Sequence, residues 1–223
     1  MQVLKFGGSS VANAANINKV IAIIKEKVKE DTTVVVVSAF GGITDILLQC
    51  SQLAAEGHET YKEKLHEAEL RHLNTVKELI TITQQSAVLS LVKTLCNEIE
   101  DICTGIFLLK ELSERTKDRI VSYGEILSSK IITAKLNTDE IECEWVNSTQ
   151  LITTNANYSA AVVDFAVTNK KIANHFKTIN SRLFMMPGFI ASDTNGVNTT
   201  LGRGGSDYTA AIVAAALNVK VLE

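Results

Sequence analysis

Three glycine-bearing stretches hold the residues with the clearest chemical potential. The first is Lys5-Phe6-Gly7-Gly8-Ser9-Ser10. Paired glycines remove side chains, so backbone N–H groups can approach phosphate oxygens. Lys5 adds a compact positive charge. A plain strand-to-turn junction with a surface lysine is the competing reading, and no Gly-Lys-Ser/Thr follows that would make a Walker A loop. The second is Ser38-Ala39-Phe40-Gly41-Gly42-Ile43-Thr44. It offers two hydroxyls and free backbone donors ahead of a helix, a suitable place for an anion; capping of that helix by Thr44 is the competing role. The third is Thr199-Thr200-Leu201-Gly202-Arg203-Gly204-Gly205-Ser206-Asp207. Its arginine can hold a carboxylate through two parallel hydrogen bonds, while Asp207 could instead cap the next helix. Gly124-Glu125 stands apart, inside a helical pattern. A mid-helix glycine costs about 1 kcal/mol against alanine, which points to close packing or ligand approach there. Glu125 itself reads equally well as a solvated surface residue.

The elements around these stretches are strands alternating with helices. Val3 to Phe6 is a short apolar run ended by glycines. Ile17, Val20, Ile21, Ile24 and Val28 recur at helical spacing, which predicts an amphipathic helix over 13–29. Thr33 to Val37 is β-branched without polar alternation, as suits a strand buried on both faces of a parallel sheet. From Ile43 to about Leu112 the pattern is helical, broken near Gly57 and around 83–86. Its last part carries the stripe Val88, Leu91, Val92, Leu95, Ile99, Ile102, Ile106 and Leu109, read as core or helix pairing and as a surface that could serve homo-oligomer assembly. A further helix is expected over 117–136, a strand over 142–146, mostly helix over 159–176, and a strand over 182–186 ended by Pro187-Gly188. A turn or hairpin over 193–198, a helix over 207–217 and the start of a strand at Val219 complete the chain. Alternation of this kind argues an α/β fold with a mainly parallel sheet, whose ligands bind beyond the carboxyl ends of the strands.

Composition narrows the function classes. A net charge of −3 and 5% aromatic residues give no basic, base-stacking surface for nucleic acid. No apolar run approaches the roughly 18 residues of a membrane span, and the N-terminus lacks the apolar stretch of a signal peptide. Cys50, Cys96, Cys103 and Cys143 are scattered, with no CxxC pair and no zinc-ligand set. Reduced thiols and a cytoplasmic location are the default expectation. His58, His66, His72 and His175 sit in polar stretches and are expected at the surface.

Taken together, these segments resemble the aspartokinase family of amino-acid kinases. Lys5-Phe6-Gly7-Gly8-Ser9-Ser10-Val11 is similar to the family's Lys-Phe-Gly-Gly-Thr-Ser-Val, with Ser9 keeping the hydroxyl of the usual threonine. Ser38-Ala39 with Thr44 is similar to its second loop, and Tyr123-Gly124-Glu125 to its Gly-Glu segment. Pro187-Gly188-Phe189-Ile190, followed by Thr200-Leu201-Gly202-Arg203-Gly204-Gly205-Ser206-Asp207-Tyr208-Thr209-Ala210-Ala211, carries the most diagnostic match. Val11-Ala12-Asn13-Ala14 is similar to the form fused to homoserine dehydrogenase.

The resemblance implies an αβα sandwich of the carbamate-kinase-like type and an ATP-dependent phosphorylation of the L-aspartate side-chain carboxylate. It implies ATP phosphates against Lys5, Gly7, Gly8 and Ser9, and Mg²⁺ carried mainly by those phosphates. Ser38, Thr44, Glu125, Phe189, Arg203 and Ser206 are expected around aspartate, Arg203 on its α-carboxylate and Glu125 on its α-ammonium, with Lys5 and Asp207 as the catalytic pair. In the family a Thr-Asp-Val-Asp-Gly-like loop and regulatory domains follow the point where Glu223 stands. Residues 1–223 are therefore expected to be a catalytic domain incomplete on its nucleotide side. Two alternatives stay open: a family member acting on glutamate or acetylglutamate, and a catalytically silent fragment that only binds substrate or partner subunits.

Overall fold

The structure is a computed structural model and describes residues 1–178 and 181–223. In chain order the elements are β1 (Gln2–Phe6), α1 (Ala14–Glu30), β2 (Thr33–Val37), α2 (Ile43–Ala55), α3 (Tyr61–Leu79), α4 (Gln85–Leu109), α5 (Glu114–Thr138), β3 (Glu144–Trp145), α6 (Ser148–Leu151), β4 (Thr153–Thr154), α7 (Phe165–Thr178), β5 (Leu183–Pro187), β6 (Ile190–Asp193), β7 (Asn198–Thr200), α8 (Gly205–Ala216) and β8 (Val221–Leu222). The main sheet runs β3-β5-β2-β1-β8, and every pairing in it is parallel.

Strand periodicity divides this sheet between two cores. Successive side chains point to opposite faces. Val35 and Val37 of β2, with Leu4, Leu183 and Met185, join a core built from α1 to α5. Val34 and Val36, with Val3, Phe184 and Met186, join a second core with Ile172, Phe176 and Val213 of α7 and α8. Both faces of β2 are thus dry, which is why its sequence lacks polar alternation. Helices cover both sides of one parallel sheet, the αβα sandwich that the resemblance implies. Asn13 fixes the start of α1 by accepting from the Asn16 N–H at 2.9 Å.

The structure departs from the sequence reading at residues 159–164, in a small second sheet and at His72, and it bears out the core reading of the α4 stripe. Residues 159–164 are not helical. Val163 bridges to Thr154, and α7 starts only at Phe165, its first turn held by Asp164 accepting from the Val167 N–H at 3.0 Å. A small second sheet, β4-β6-β7, lies beyond the expected hairpin, with β6 and β7 antiparallel and β4 parallel to β6. The stripe on α4 is core for Val88, Val92, Leu95, Ile99 and Ile106, packed within the cluster of α2, α3 and α5; Leu109 at its end is exposed. His72 is buried, not on the surface. Its ring stacks on Phe40 at 4.8 Å between centroids, and Nδ1 lies 2.7 Å from the Ala68 carbonyl oxygen. Burial pushes its pKa down to about 4. The four cysteines are free and buried. No helix among the described residues is long and apolar enough to cross a membrane.

Candidate functional site

The loops after β1 and β2 meet edge to edge. The Gly41 N–H donates to the Gly8 carbonyl at 3.0 Å. A Cβ on Gly8 would lie 3.1 Å from the Ala39 carbonyl oxygen, and one on Gly41 would lie 3.2 Å from the Gly8 oxygen. Glycine suits both positions because a side chain at either would crowd the backbone of the other loop. Helix α5 holds the second loop from below. Ser128 Oγ donates to the Ser38 carbonyl at 2.7 Å. Glu125 Oε1 accepts from the Ala39 N–H at 3.2 Å. A Cβ on Gly124 would come within 2.8 Å of the Ala39 Cβ, so close packing accounts for the mid-helix glycine.

The third loop arrives from β7 and ends in α8. Gly204, at φ +75°, sits at the cap position of that helix, and Asp207 lies in its first turn. The Asp207 carboxylate reaches Lys5 instead of capping, with Nζ to Oδ1 at 2.6 Å. Thr44 likewise does not cap: Gly42, at φ +82°, holds that position, and the helix has no side-chain cap.

These pieces enclose one cavity of about 640 Å³. Lys5, Gly8, Ser38 and Thr44 line it from the first two loops, and Phe189, Arg203, Ser206 and Asp207 from the far side, with Glu125 at the wall. Of the residues singled out in the sequence, Gly7 and Ser9 are not in that lining. Gly7 lies beside the Lys5 ammonium, its Cβ position 3.3 Å from Nζ. Ser9 is exposed, and its carbonyl accepts from Asn16 Nδ2 at 2.9 Å. Glu125 is no solvated surface residue. It is 3% exposed, Oε2 has no hydrogen-bond partner, and burial pushes its pKa up to about 8.

Two residues escaped the sequence reading. Asp118, one face-repeat before Glu125 on α5, is also buried and lines the cavity. Its Oδ2 accepts from the Ser159 and Thr200 N–H groups, each at 2.9 Å, and Oδ1 accepts from Thr200 Oγ1 at 2.8 Å. Desolvation still raises its pKa against those donors. The spacing of seven from Glu125 was the available signal. Arg71 of α3 donates through Nη2 to the Gly41 carbonyl at 2.9 Å, a contact between distant segments with no local sequence mark.

Basic and acidic side chains around glycine-lined backbone, beyond the carboxyl ends of parallel strands, suit a small anionic metabolite and a phosphate donor. A family model described as the amino acid kinase family matches residues 1–223. The chain belongs to the amino acid kinase family. Its relatives are aspartokinases. It is 33% identical to a bifunctional aspartokinase/homoserine dehydrogenase of Buchnera aphidicola, over all of this chain and 28% of that protein. It is 32% identical to the chloroplastic aspartokinase 1 of Arabidopsis thaliana, over 99% of this chain and 39% of that protein. In structure it is similar to Escherichia coli aspartokinase III in complex with aspartate and ADP, with a TM-score of 0.89 and 29% identity, over all of this chain and 48% of that one. This amino acid kinase chain thus spans less than half the length of each of these relatives.

Proposed function

We propose that residues 1–223 form a catalytic domain that phosphorylates the side-chain carboxylate of L-aspartate with ATP, giving 4-phospho-L-aspartate and ADP. In the cell this is the opening step of the lysine, threonine and methionine branch of amino-acid biosynthesis. The observation that carries the reading is the Lys5–Asp207 contact at 2.6 Å. It ties the glycine loop suited to phosphate to the arginine loop suited to a carboxylate, across one cavity. The likeness to a structure holding aspartate and ADP supports the same pairing of ligands.

The chemistry asks little of the protein beyond position and charge. A side-chain carboxylate has a reference pKa near 3.9, so it is already a nucleophile at neutral pH and no general base is needed. One of its oxygens bonds to the γ-phosphorus as the bond to the β–γ bridging oxygen breaks. Arg203 holds the α-carboxylate in its planar fork. Glu125 receives the α-ammonium. Lys5 draws negative charge from the transferring phosphoryl group, and Asp207 keeps the Lys5 ammonium aimed at it. Among the described residues no group of three or more His, Cys, Asp or Glu could hold a metal ion. In this reading the nucleotide phosphates would carry Mg²⁺, which would add positive charge at the same centre.

The test is the purified chain with ATP, Mg²⁺ and hydroxylamine, with and without L-aspartate, reading aspartyl hydroxamate. Aspartate-dependent product is expected, and Arg203→Ala should weaken aspartate by roughly tenfold to a hundredfold, the range for charged hydrogen bonds. Product with glutamate or acetylglutamate alone would move the chain to another acceptor. Aspartate binding without product from any carboxylate would leave a domain that only binds.

A further inference from the structure

The turn that joins the two sheets contains a backbone outlier. Phe189, between β5 and β6, has φ +67°. That conformation is rare for a bulky residue and persists only where its surroundings impose it. Both peptide groups of Phe189 are tied. Its carbonyl accepts from the Leu201 N–H at 2.9 Å. Its N–H donates to Thr209 Oγ1 at 3.0 Å. Thr209 is fully buried on α8, and the same oxygen donates to the Gly205 carbonyl at 2.9 Å. One hydroxyl thus links the strained turn to the first turn of the helix.

Sterics press the same parts together. A Cβ on Gly205 would lie 2.7 Å from Phe189 Cδ2, and one on Gly188 would lie 2.7 Å from the Ser206 Cβ. Phe189, Gly205 and Ser206 all line the cavity, and Thr209 does not. Thr209 can therefore act on a ligand only through them.

We propose that Thr209 is a positioning residue: its hydroxyl holds Phe189 in the left-handed turn and so sets the wall of the site that faces the amino-acid substrate. This rests on the aspartate reading above. With a hydrocarbon at 209, the Phe189 N–H would be buried without a partner, and the turn would relax out of its strained state. Substrate would then have to restore it.

The experiment compares Thr209→Val, Thr209→Ala and Thr209→Ser with the unmodified chain. It reads two quantities: hydrogen exchange at the Phe189 amide without ligand, and the Kd for L-aspartate by calorimetry. In Val and Ala, exchange at Phe189 should quicken and aspartate should bind about tenfold more weakly, the factor that about 1.4 kcal/mol makes. Thr209→Ser should restore both. Faster exchange with an unchanged Kd would make Thr209 merely structural and overturn the proposal, as would unfolding of both hydroxyl-free variants. An unmodified chain that does not bind aspartate at all would instead sink the aspartate reading.

Discussion

Glu125 is the residue whose state most depends on its surroundings. Oε1 meets the Ala39 N–H and Oε2 has no hydrogen-bond partner, although the residue is 3% exposed. Burial disfavours the charged form and sets the pKa near 8 without ligand. The folded carboxyl therefore binds its proton more tightly than the unfolded one, whose ordinary value is 4.5. Stability must fall as pH rises between those two values and level off above the upper one. Glu125→Gln should flatten that slope and raise the unfolding free energy near pH 8 by a few kcal/mol, on the order set by 1.36 kcal/mol per pKa unit. Urea unfolding across pH 5 to 9, spanning that window, is the measurement. The proposed function adds a ligand effect with a definite sign. An ammonium beside Glu125 favours the carboxylate, so aspartate binding at pH 7 should release a proton. The calorimetric enthalpy should then change with the ionisation heat of the buffer, and Glu125→Gln should abolish that change. None of this was legible from the sequence. Gly124-Glu125 marked the place, but the burial comes from Ala39 and the loop after β2, more than eighty residues away.

At the scale of elements, α5 is the part that assembles the site. Its Gly124, Glu125 and Ser128 grip the loop after β2, and its Asp118 grips the end of β7. Gly124→Ala tests how tight that grip is. Helix propensity alone would favour alanine by about 1 kcal/mol. The new Cβ would sit 2.8 Å from the Ala39 Cβ and 3.5 Å from Ile43 Cγ2. Overpacking of that kind costs about 1–3 kcal/mol, so the net change is expected to be destabilising, and Ala39→Gly in the same chain should recover part of it. Thermal unfolding of the two variants and the unmodified chain decides; a stabilised Gly124→Ala would mean that the loop moves aside freely. The long elements could be read in advance because each buries one periodic face. Thr33 to Val37 matched β2 residue for residue, since both of its faces are core. The strands of the small sheet, two to four residues long, are shorter than any period that reveals them. His72 was misplaced for a related reason. Its polar neighbours Glu69, Arg71 and Asn74 are at least partly exposed, whereas the ring itself faces Phe40.

For the whole molecule, the cavity belongs to no single element. Lys5 comes from β1, Glu125 from α5, Phe189 from the turn between the two sheets, Arg203 from the loop before α8 and Asp207 from the first turn of that helix. The alternation of strands and helices foretold an α/β fold with a parallel sheet, and the resemblance added the sandwich. The alternation could not foretell which loops would close on one another, because that follows from β2 lying between β1 and β5 and from the glycine contacts that let the loops meet. A site drawn from the whole chain exists only in the folded state, so its ligand must stabilise the entire fold. L-aspartate at one hundred times its Kd should add about 2.7 kcal/mol of stability. At about 2–4 °C per kcal/mol for a domain of this size, the midpoint of thermal unfolding should rise by roughly 5–11 °C. Arg203 is exposed, so Arg203→Ala should leave the ligand-free midpoint almost unmoved, as surface changes do. It should nevertheless lose about half of the aspartate shift or more at the same concentration. A chain that unfolds at one temperature with and without aspartate would show that the assembled cavity does not bind it, and a shift of equal size in Arg203→Ala would remove that arginine from the site.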